Sequence, residues 1–356
     1  MIRAPLEIYA NRSGMGLAKK ICDELSKLRS QETTDGQDSC GTRLKQAMVR
    51  AGKDIFACGE FTVNLEDSVR GKDVFLVQCV YDRSNLSRDI HVNIWETLQT
   101  IEALRGCHAQ YITVVIPCLP YSKQDKTDGR ESYGSVVLAK ALSAMDADQL
   151  ITYDLHAQQI KGFYRTLGVQ PDALFATTLF LDHIRSTYKP EELMVVAPDE
   201  GSGKRAKYYA DSIFGEDNVD ETKLIYAIKY RSKKTVNKID STRLLGNVAG
   251  KIILAADDQI DTASTMEALL EKASAQGAKG AVICATHPIL SDPATKRMDR
   301  LYEEGKLLEF LTTDTVPQPA DYAAKHPWFK CCSVARPLAE IIDKMNKEEK
   351  TSSLYT

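Results

Sequence analysis

The sequence has no run of about 18 consecutive apolar residues, so it offers no membrane-spanning helix. Its opening, MIRAPLEIYANRSG, passes almost directly into a strand-like segment with no apolar secretion-signal core, which sets the expectation of a cytoplasmic protein. Excess positive charge is missing too. The 46 Lys and Arg residues against 49 Asp and Glu leave a formal net charge of −3, so no basic field marks nucleic acid as a partner. The nine cysteines, an odd number, form no C-x-x-C pair. Residues such as Cys79, Cys118 and Cys284 stand in apolar surroundings and read as reduced interior thiols. Low-complexity segments, short-period repeats and the G-x-x-x-x-G-K-[ST] nucleotide loop are absent. What remains is an ordinary globular composition, 43% hydrophobic and 27% charged, over 356 residues, a length that favours two domains.

Periodicity organises the chain. Apolar strand-like segments fall at 6–10, 74–77, 112–116 and 150–153, and again at 194–197, 224–227, 252–255 and 281–285. Helical patterns lie between them, near 17–28, 87–105, 133–145, 178–186, 204–212, 265–275 and 293–306, with a last helix over 330–345. Residues 30–45 read as a polar loop or insertion, 54–66 as a hairpin-like region, and 347–350 as a solvated charge run. Alternating strands and helices predict parallel βαβ units and hence an α/β fold of two similar domains, each a mostly parallel sheet flanked by helices. The seam is expected near residues 165–177. Ligands of such sheets bind beyond the carboxyl ends of the strands.

The most informative stretch is Lys251 to Thr265, KIILAADDQIDTAST. A buried strand, Ile252 to Ala255, leads to the adjacent carboxylates Asp257 and Asp258. The turn Asp261-Thr262-Ala263-Ser264-Thr265 then opens a helix whose apolar residues Met266, Leu269, Leu270 and Ala273 share one face. Backbone N–H groups at a helix start favour a phosphate, and carboxylates accept hydrogen bonds from sugar hydroxyls and recruit Mg2+. One ligand satisfies both halves, a ribose 5-phosphate group. Read alone, the stretch is equally an ordinary strand-to-helix turn with an acidic cap.

Other stretches carry weaker signals, each with a plainer alternative. Pro198-Asp-Glu-Gly-Ser-Gly-Lys-Arg205 follows a strand and opens a helix; Gly201 and Gly203 permit a pyrophosphate cradle or simply a tight turn. His156, two residues after Asp154 at a strand end, has the ligand chemistry to share an Mg2+ with Asp199, although a lone histidine is more often an interior residue with a satisfied ring. Lys229-Tyr230-Arg231, with Ser232 to Lys234, is either an exposed charge cluster or a basic lid over a transferring phosphoryl group. Phe56, Gly59 and Glu60, with Lys123-Gln124-Asp125, have the chemistry to flank a purine; a buried Phe56 beside a solvated loop is the plainer reading.

Together these segments resemble the ribose-phosphate diphosphokinase (phosphoribosyl pyrophosphate synthetase) family. The resemblance rests on Phe56-Ala-Cys-Gly-Glu60, Ser68 to Val74, Tyr121-Ser-Lys-Gln-Asp125, Asp154 to Phe163, Pro198 to Arg205, Lys229-Tyr-Arg231, Asp257 to Thr265 and Thr286 to Ser291, with Ser333 to Ile341 near the end. It implies two phosphoribosyltransferase-type domains with the active site between them. These are 1–170 with the ATP-binding loops and 171–332 with the ribose 5-phosphate site, followed by a terminal helix in 333–356 that packs back on the first. It implies transfer of the β,γ-diphosphoryl group of Mg-ATP to the 1-hydroxyl of ribose 5-phosphate. By position, Asp261, Thr262, Ala263, Ser264 and Thr265 would hold the 5-phosphate, and Asp257 and Asp258 the ribose hydroxyls. Lys229 and Arg231 would be catalytic, and His156 and Asp199 would take the metal. Phe56, Cys58, Gly59, Glu60, Lys123, Gln124 and Asp125 would face ATP. A homo-oligomer built on dimers, up to a hexamer, would follow as well.

The chain departs from the family pattern at several places. Cys58 stands where Asp is usual, Lys123 where Arg is usual, Tyr230 interrupts a run of bases, Ser202 interrupts a Gly-Gly pair, and Ser264 stands at a Gly position, where its side chain must fit a tight turn. Residues 79–89, where the family makes subunit and regulatory contacts, match poorly. Cys58 and Lys123 keep open a second function, a non-catalytic homologue that associates with an active synthetase. A plain phosphoribosyltransferase is a third, but it needs neither the first domain nor the ATP loops.

Overall fold

Each apolar segment of the sequence is a strand of one of two seven-stranded sheets in the computed structural model, which describes residues 2–32, 44–48, 53–85, 89–199, 201–231 and 239–354. The chain forms two units. The first comprises Met1–Phe175, Thr315–Gln318 and Ser333–Thr356, and the second Ala176–Asp314 and Pro319–Cys332.

In the first unit the order is β1 (Leu6–Ala10), α1 (Met15–Glu32), β2 (Leu44–Met48), β3 (Asn64–Leu65), β4 (Asp73–Val77), α2 (Ile90–Gly106), β5 (Tyr111–Val115), α3 (Gly134–Ala144), β6 (Gln149–Tyr153), α4 (Ile160–Thr166) and β7 (Gln170–Leu174). The second runs through α5 (Thr177–Thr187), β8 (Leu193–Ala197), α6 (Gly203–Phe214), β9 (Leu224–Arg231), β10 (Ile239–Leu245), β11 (Ile252–Ile260), α7 (Ser264–Ala275), β12 (Gly280–Pro288), α8 (Ala294–Glu303), β13 (Leu307–Thr313), α9 (Tyr322–Lys325) and β14 (Phe329–Cys332). The chain then returns to the first unit as α10 (Ala335–Asn346).

The sheets run β3-β2-β1-β4-β5-β6-β7 and β10-β9-β8-β11-β12-β13-β14, one order repeated with every strand number raised by seven. All pairings are parallel except β2 with β3 and β9 with β10. The fold expected from the sequence is therefore present twice. Strands such as β4 (DVFLV) and β8 (LMVVA) are buried at every residue, which is why they read as unbroken apolar runs rather than alternating ones. The helices present the expected stripe; in α7, Met266, Leu269, Leu270 and Ala273 are all buried. Met266, Leu269 and Leu270 each contribute roughly 1.5–3 kcal/mol on burial.

Several expectations are corrected. Helix α1 is longer than 17–28, residues 30–32 continue it, and 44–48 form β2, so only 33–43 of the expected loop remain, and they lie outside the described residues. The hairpin over 54–66 reduces to one antiparallel bridge, Ile55 with Phe61, followed by β3, which pairs with β2. The last helix starts at Ala335 because Phe329–Cys332 are drawn into the sheet as β14. It packs on α1 and is tied down by polar contacts. Arg29 Nε lies 2.8 Å from Asp343 Oδ1, and Asn346 Nδ2 donates to Ala4 O at 2.8 Å and to Asp73 Oδ2 at 2.9 Å. No helix among the described residues is long and apolar enough to cross a membrane.

Candidate active site

Strand β11 runs on past its apolar part. Its pairing with β8 ends at Ala255↔Val196, but with β12 it continues through Asp257↔Ala285 to Ile260↔Pro288. Asp257 and Asp258 thus lie within the strand rather than after it, because β12 keeps supplying hydrogen-bond partners. On the β8 side the overhang faces the turn that starts α6. Arg205 Nη1 comes to 4.0 Å from Asp257 Oδ1. The Asp258 N–H donates to Asp257 Oδ1 at 2.9 Å.

The Asp257 carboxylate feels two other carboxylates, Asp258 and Asp199, against one guanidinium, Arg205. Crowding by packed atoms pushes the Asp257 carboxyl well above its ordinary range; Asp258, by charge and by a side-chain hydrogen bond, pushes the same way, then Asp199, while Arg205 pulls it back. A fifth of the Asp257 side chain stays accessible, so a ligand can reach it. Among the described residues no three His, Cys, Asp or Glu side chains close on one point as a complete metal cage. An oxygen-only, anionic and partly open edge nevertheless suits Mg2+, which keeps several waters and binds through one or two carboxylates plus substrate phosphates.

Asp199 is held by its own turn. Its Oδ1 accepts from the Ser202 N–H at 3.0 Å, its carbonyl accepts from Ser202 Oγ at 2.8 Å, and its N–H reaches that same hydroxyl at 3.1 Å. Within the turn that Gly201 and Gly203 permit, the Ser202 N–H is thus taken by Asp199, and Ser202, which breaks the family's Gly-Gly, is what closes the turn. A Cβ on Gly203 would stand 3.1 Å from the Tyr226 ring, so the helix start packs closely on β9. Glu200 lies outside the described residues.

Between β11 and α7 only Asp261, Thr262 and Ala263 remain to turn the chain. Ala263 takes the left-handed conformation, φ 60° and ψ 9°, at a cost of about 1 kcal/mol for a residue with a Cβ. The tight position is therefore Ala263, and Ser264, expected to bear that constraint, is already the first helical residue. Thr262 Oγ1 donates to Ser264 Oγ at 3.3 Å, so hydroxyls gather at a helix start whose first N–H groups have no intrahelical acceptor. Thr262, Ser264 and Thr265 are half-buried and Ala263 is buried. Two outside groups brace the turn. Leu290 N–H donates to Ile260 O at 2.9 Å, and Arg297 Nη1 donates to Thr262 O at 2.6 Å.

The backbone of Lys229, Tyr230 and Arg231 continues β9 and pairs antiparallel with β10, Lys229 opposite Thr242 and Arg231 opposite Ile239. The backbone of 229–231 is therefore strand rather than the expected loop, because β10 supplies a partner. The side chains of 229–231 and all of 232–238 lie outside the described residues.

In the first unit Phe56 to Glu60 form a small turn, with Phe56 N–H donating to Glu60 O at 2.8 Å and Gly59 N–H to Phe56 O at 2.9 Å. Phe56 is 55% exposed, which overturns the buried reading and leaves its face free to stack. Cys58, Gly59 and Glu60 are exposed beside it. In the loop after β5, Lys123 and Gln124 are exposed while Asp125 turns inward. Gln159 Nε2 donates to Asp125 Oδ2 at 2.7 Å and to its carbonyl at 3.1 Å, so Asp125 anchors the loop that displays its neighbours. A cavity of about 360 Å3 opens there, lined by Asp125, Lys126, Tyr133, Val136, Gln159 and Phe163. His156 is exposed just beyond β6. It belongs to the first unit and Asp199 to the second. Arg297 and Gln159 were not singled out from the sequence, because neither sits at a spacing tied to the loop it braces.

A sequence model described as the N-terminal domain of ribose phosphate pyrophosphokinase matches residues 6–145, and one described as a phosphoribosyl synthetase-associated domain matches residues 216–356. A ribose-phosphate pyrophosphokinase of Porphyromonas gingivalis is 34% identical over 349 residues, covering 98% of this chain and 97% of that protein. Ribose-phosphate pyrophosphokinase A of Dictyostelium discoideum is 32% identical over 314 residues, covering 88% and 92%. The crystal structure of phosphoribosylpyrophosphate synthetase from Mycobacterium smegmatis superposes with a TM-score of 0.79 at 30% identity, covering 97% of this chain and 99% of that one. The resemblance read from the motifs is borne out along the full length.

Proposed function

The chain belongs to the ribose-phosphate pyrophosphokinase family, and from that premise we propose how its residues form 5-phosphoribosyl 1-diphosphate from ATP and ribose 5-phosphate. The 1-hydroxyl oxygen of the sugar attacks the β-phosphorus of ATP, the bond from that phosphorus to the α,β-bridging oxygen breaks, AMP leaves, and the hydroxyl proton is released. Such a transfer needs positioning and charge neutralisation more than covalent help from the protein.

In this reading Asp261 to Thr265 hold the 5-phosphate on the start of α7, and Asp257 and Asp258 accept hydrogen bonds from the ribose hydroxyls. Asp199 on its braced turn in the second unit and His156 in the first would each be candidate ligands for Mg2+, which would neutralise phosphate charge. Lys229 and Arg231, near the end of the β9–β10 ribbon, meet the charge that develops on the transferring group. The exposed Phe56 turn and Lys123-Gln124 receive the nucleotide. Residues 1–170 then serve ATP and 171–332 the sugar phosphate. The protein works as a homo-oligomer in the cytoplasm.

The observation that carries this reading is the overhang of β11, which sets two carboxylates at the end of a strand that only a three-residue turn separates from a helix start rich in hydroxyls. The test is AMP release from ATP in the purified protein. AMP should form only when ribose 5-phosphate and Mg2+ are both present, and a folded sample that releases none overturns the assignment.

A further inference from the structure

The turn that meets the sugar phosphate is shaped from outside by Arg297. Peptide groups are planar and trans, so a carbonyl pinned to one side turns the following N–H to the other. Leu290 N–H pins the carbonyl of Ile260, and Arg297 Nη1 pins that of Thr262, at 2.9 and 2.6 Å. The N–H groups that follow, those of Asp261 and Ala263, are thereby directed away from these two donors. The second of these peptides leads into the left-handed Ala263, a conformation that an alanine holds only when its surroundings impose it.

Arg297 has a second engagement. Its Nε lies 2.9 Å from Oε2 of Glu267, the acidic residue in the first turn of α7, and Arg300 Nη2 lies 2.9 Å from the other oxygen. An unpaired carboxylate there would oppose an anion at the start of α7. Arg297 joins both effects in one side chain, carried on α8, which buries Ala294, Met298 and Leu301 and so has a fixed place.

We propose that Arg297 is a positioning residue for ribose 5-phosphate. It touches no substrate and acts by holding the Thr262 peptide in the phosphate-accepting orientation while neutralising Glu267. The proposal rests on the reading that residues 261–265 receive the 5-phosphate.

The experiment uses the full-length protein and three variants, Arg297→Met, Arg297→Lys and Thr265→Val, with steady-state kinetics in both substrates and equilibrium binding of ribose 5-phosphate alone. Arg297→Met is expected to raise KM and the dissociation constant for ribose 5-phosphate by about tenfold or more, because a charge-assisted hydrogen bond is lost. The KM for ATP and kcat should stay within about threefold, as expected when ground-state binding of one substrate is weakened. Arg297→Lys keeps the charge but cannot serve carbonyl and carboxylate together, so it should fall between parent and Arg297→Met. Thr265→Val should weaken the same substrate. A folded Arg297→Met whose ribose 5-phosphate values stay within about twofold of the parent, or whose two KM values rise together, overturns the proposal. Should Arg297→Met fail to fold, Arg297→Lys carries the test, and an unchanged KM for ribose 5-phosphate overturns it. If Thr265→Val weakens binding and the Arg297 variants do not, only the Arg297 proposal falls. If Thr265→Val leaves binding unchanged, the site reading falls and the proposal with it.

Discussion

The two units repeat one strand order, and their fourth strands in that order, β4 and β11, end very differently. Strand β4 stops after five residues at Val77, whereas β11 runs for nine and carries Asp257 and Asp258. Beyond β4 the corresponding space is filled from within. Asn11, Ser13, Gln78, Asn93, Glu96, Thr97 and Thr100 are all buried there. Gln78 Nε2 donates to Ser13 Oγ at 2.6 Å, Thr100 Oγ1 to Asn11 Oδ1 at 2.8 Å, Arg12 Nε to Glu96 Oε1 at 2.8 Å, and Asn93 Nδ2 to Val80 O at 2.8 Å. The start of α2 is closed by its own Asp89, which accepts from the His91 N–H at 2.7 Å. The start of α7 follows Ala263, which offers no side-chain cap. The first unit thus closes its edge with buried side chains, and the proposed ligand edge falls in the second, where strand and turn carry carboxylates and hydroxyls, a case of function residing in a site rather than in a fold.

That contrast can be tested by substitution. The largest effect is expected from Asp258→Asn, which removes one carboxylate of the second unit's edge. Activity should drop by about 10²–10³-fold with the melting temperature little changed, checked by AMP release and thermal unfolding. An active variant would mean that the acids of β11 are as structural as the amides beyond β4.

The two helix-opening glycines give the next contrast. A Cβ on Gly14 would overlap the Val77 carbonyl oxygen, a backbone group that cannot move aside, whereas one on Gly203 meets only the Tyr226 ring, and at 3.1 Å. Gly14→Ala should cost about 3 kcal/mol and Gly203→Ala about 1 kcal/mol or less, measured by urea unfolding. Equal costs would show that the turn before α6 is as rigid as the one before α1.

The smallest effect concerns Asp257. Its carboxyl is raised in the folded protein, so the folded state holds a proton that the unfolded state has lost once pH passes the ordinary carboxylate range. Stability without metal should therefore decline as pH climbs from that range to the raised value, then level off. Asp257→Asn should remove that decline, raising stability at the high end and leaving it unchanged at acid pH. Unfolding curves across pH, in chelator, check both the sign and the window. Mg2+ at Asp199 should bind more tightly over the same rise in pH, since the ionised Asp257 adds negative charge beside it.

Much of the fold was legible because buried strands are uniformly apolar. Strands β4, β8 and β12 are plain in the sequence, while β2, β7, β10, β13 and β14 are not. Strand β13 contains Glu309, a charge that argues against a buried strand until His183 Nε2 is found 3.0 Å from its Oε1 and Tyr188 Oη donating to that same oxygen at 2.7 Å. On α2 the apolar Val92 is 38% exposed, while the polar residues Asn93, Glu96, Thr97 and Thr100 face inward. Sequence hydrophobicity cannot reveal a polar layer whose partners lie on other elements.

By itself the sequence determined where apolar strands and amphipathic helices lie, and it placed two acids and a hydroxylated turn before one helix. Local periodicity and composition suffice for that. Only the tertiary structure decided that β11 would outgrow β8 and set Asp257 beside Arg205, that Ala263 rather than Ser264 would bear the left-handed turn, and that Arg297, 35 residues from Thr262, would hold it there. The reason is physical. Strand length, backbone strain and carbonyl orientation are set by partners distant in the chain, and a sequence pattern records the residues but not the partners.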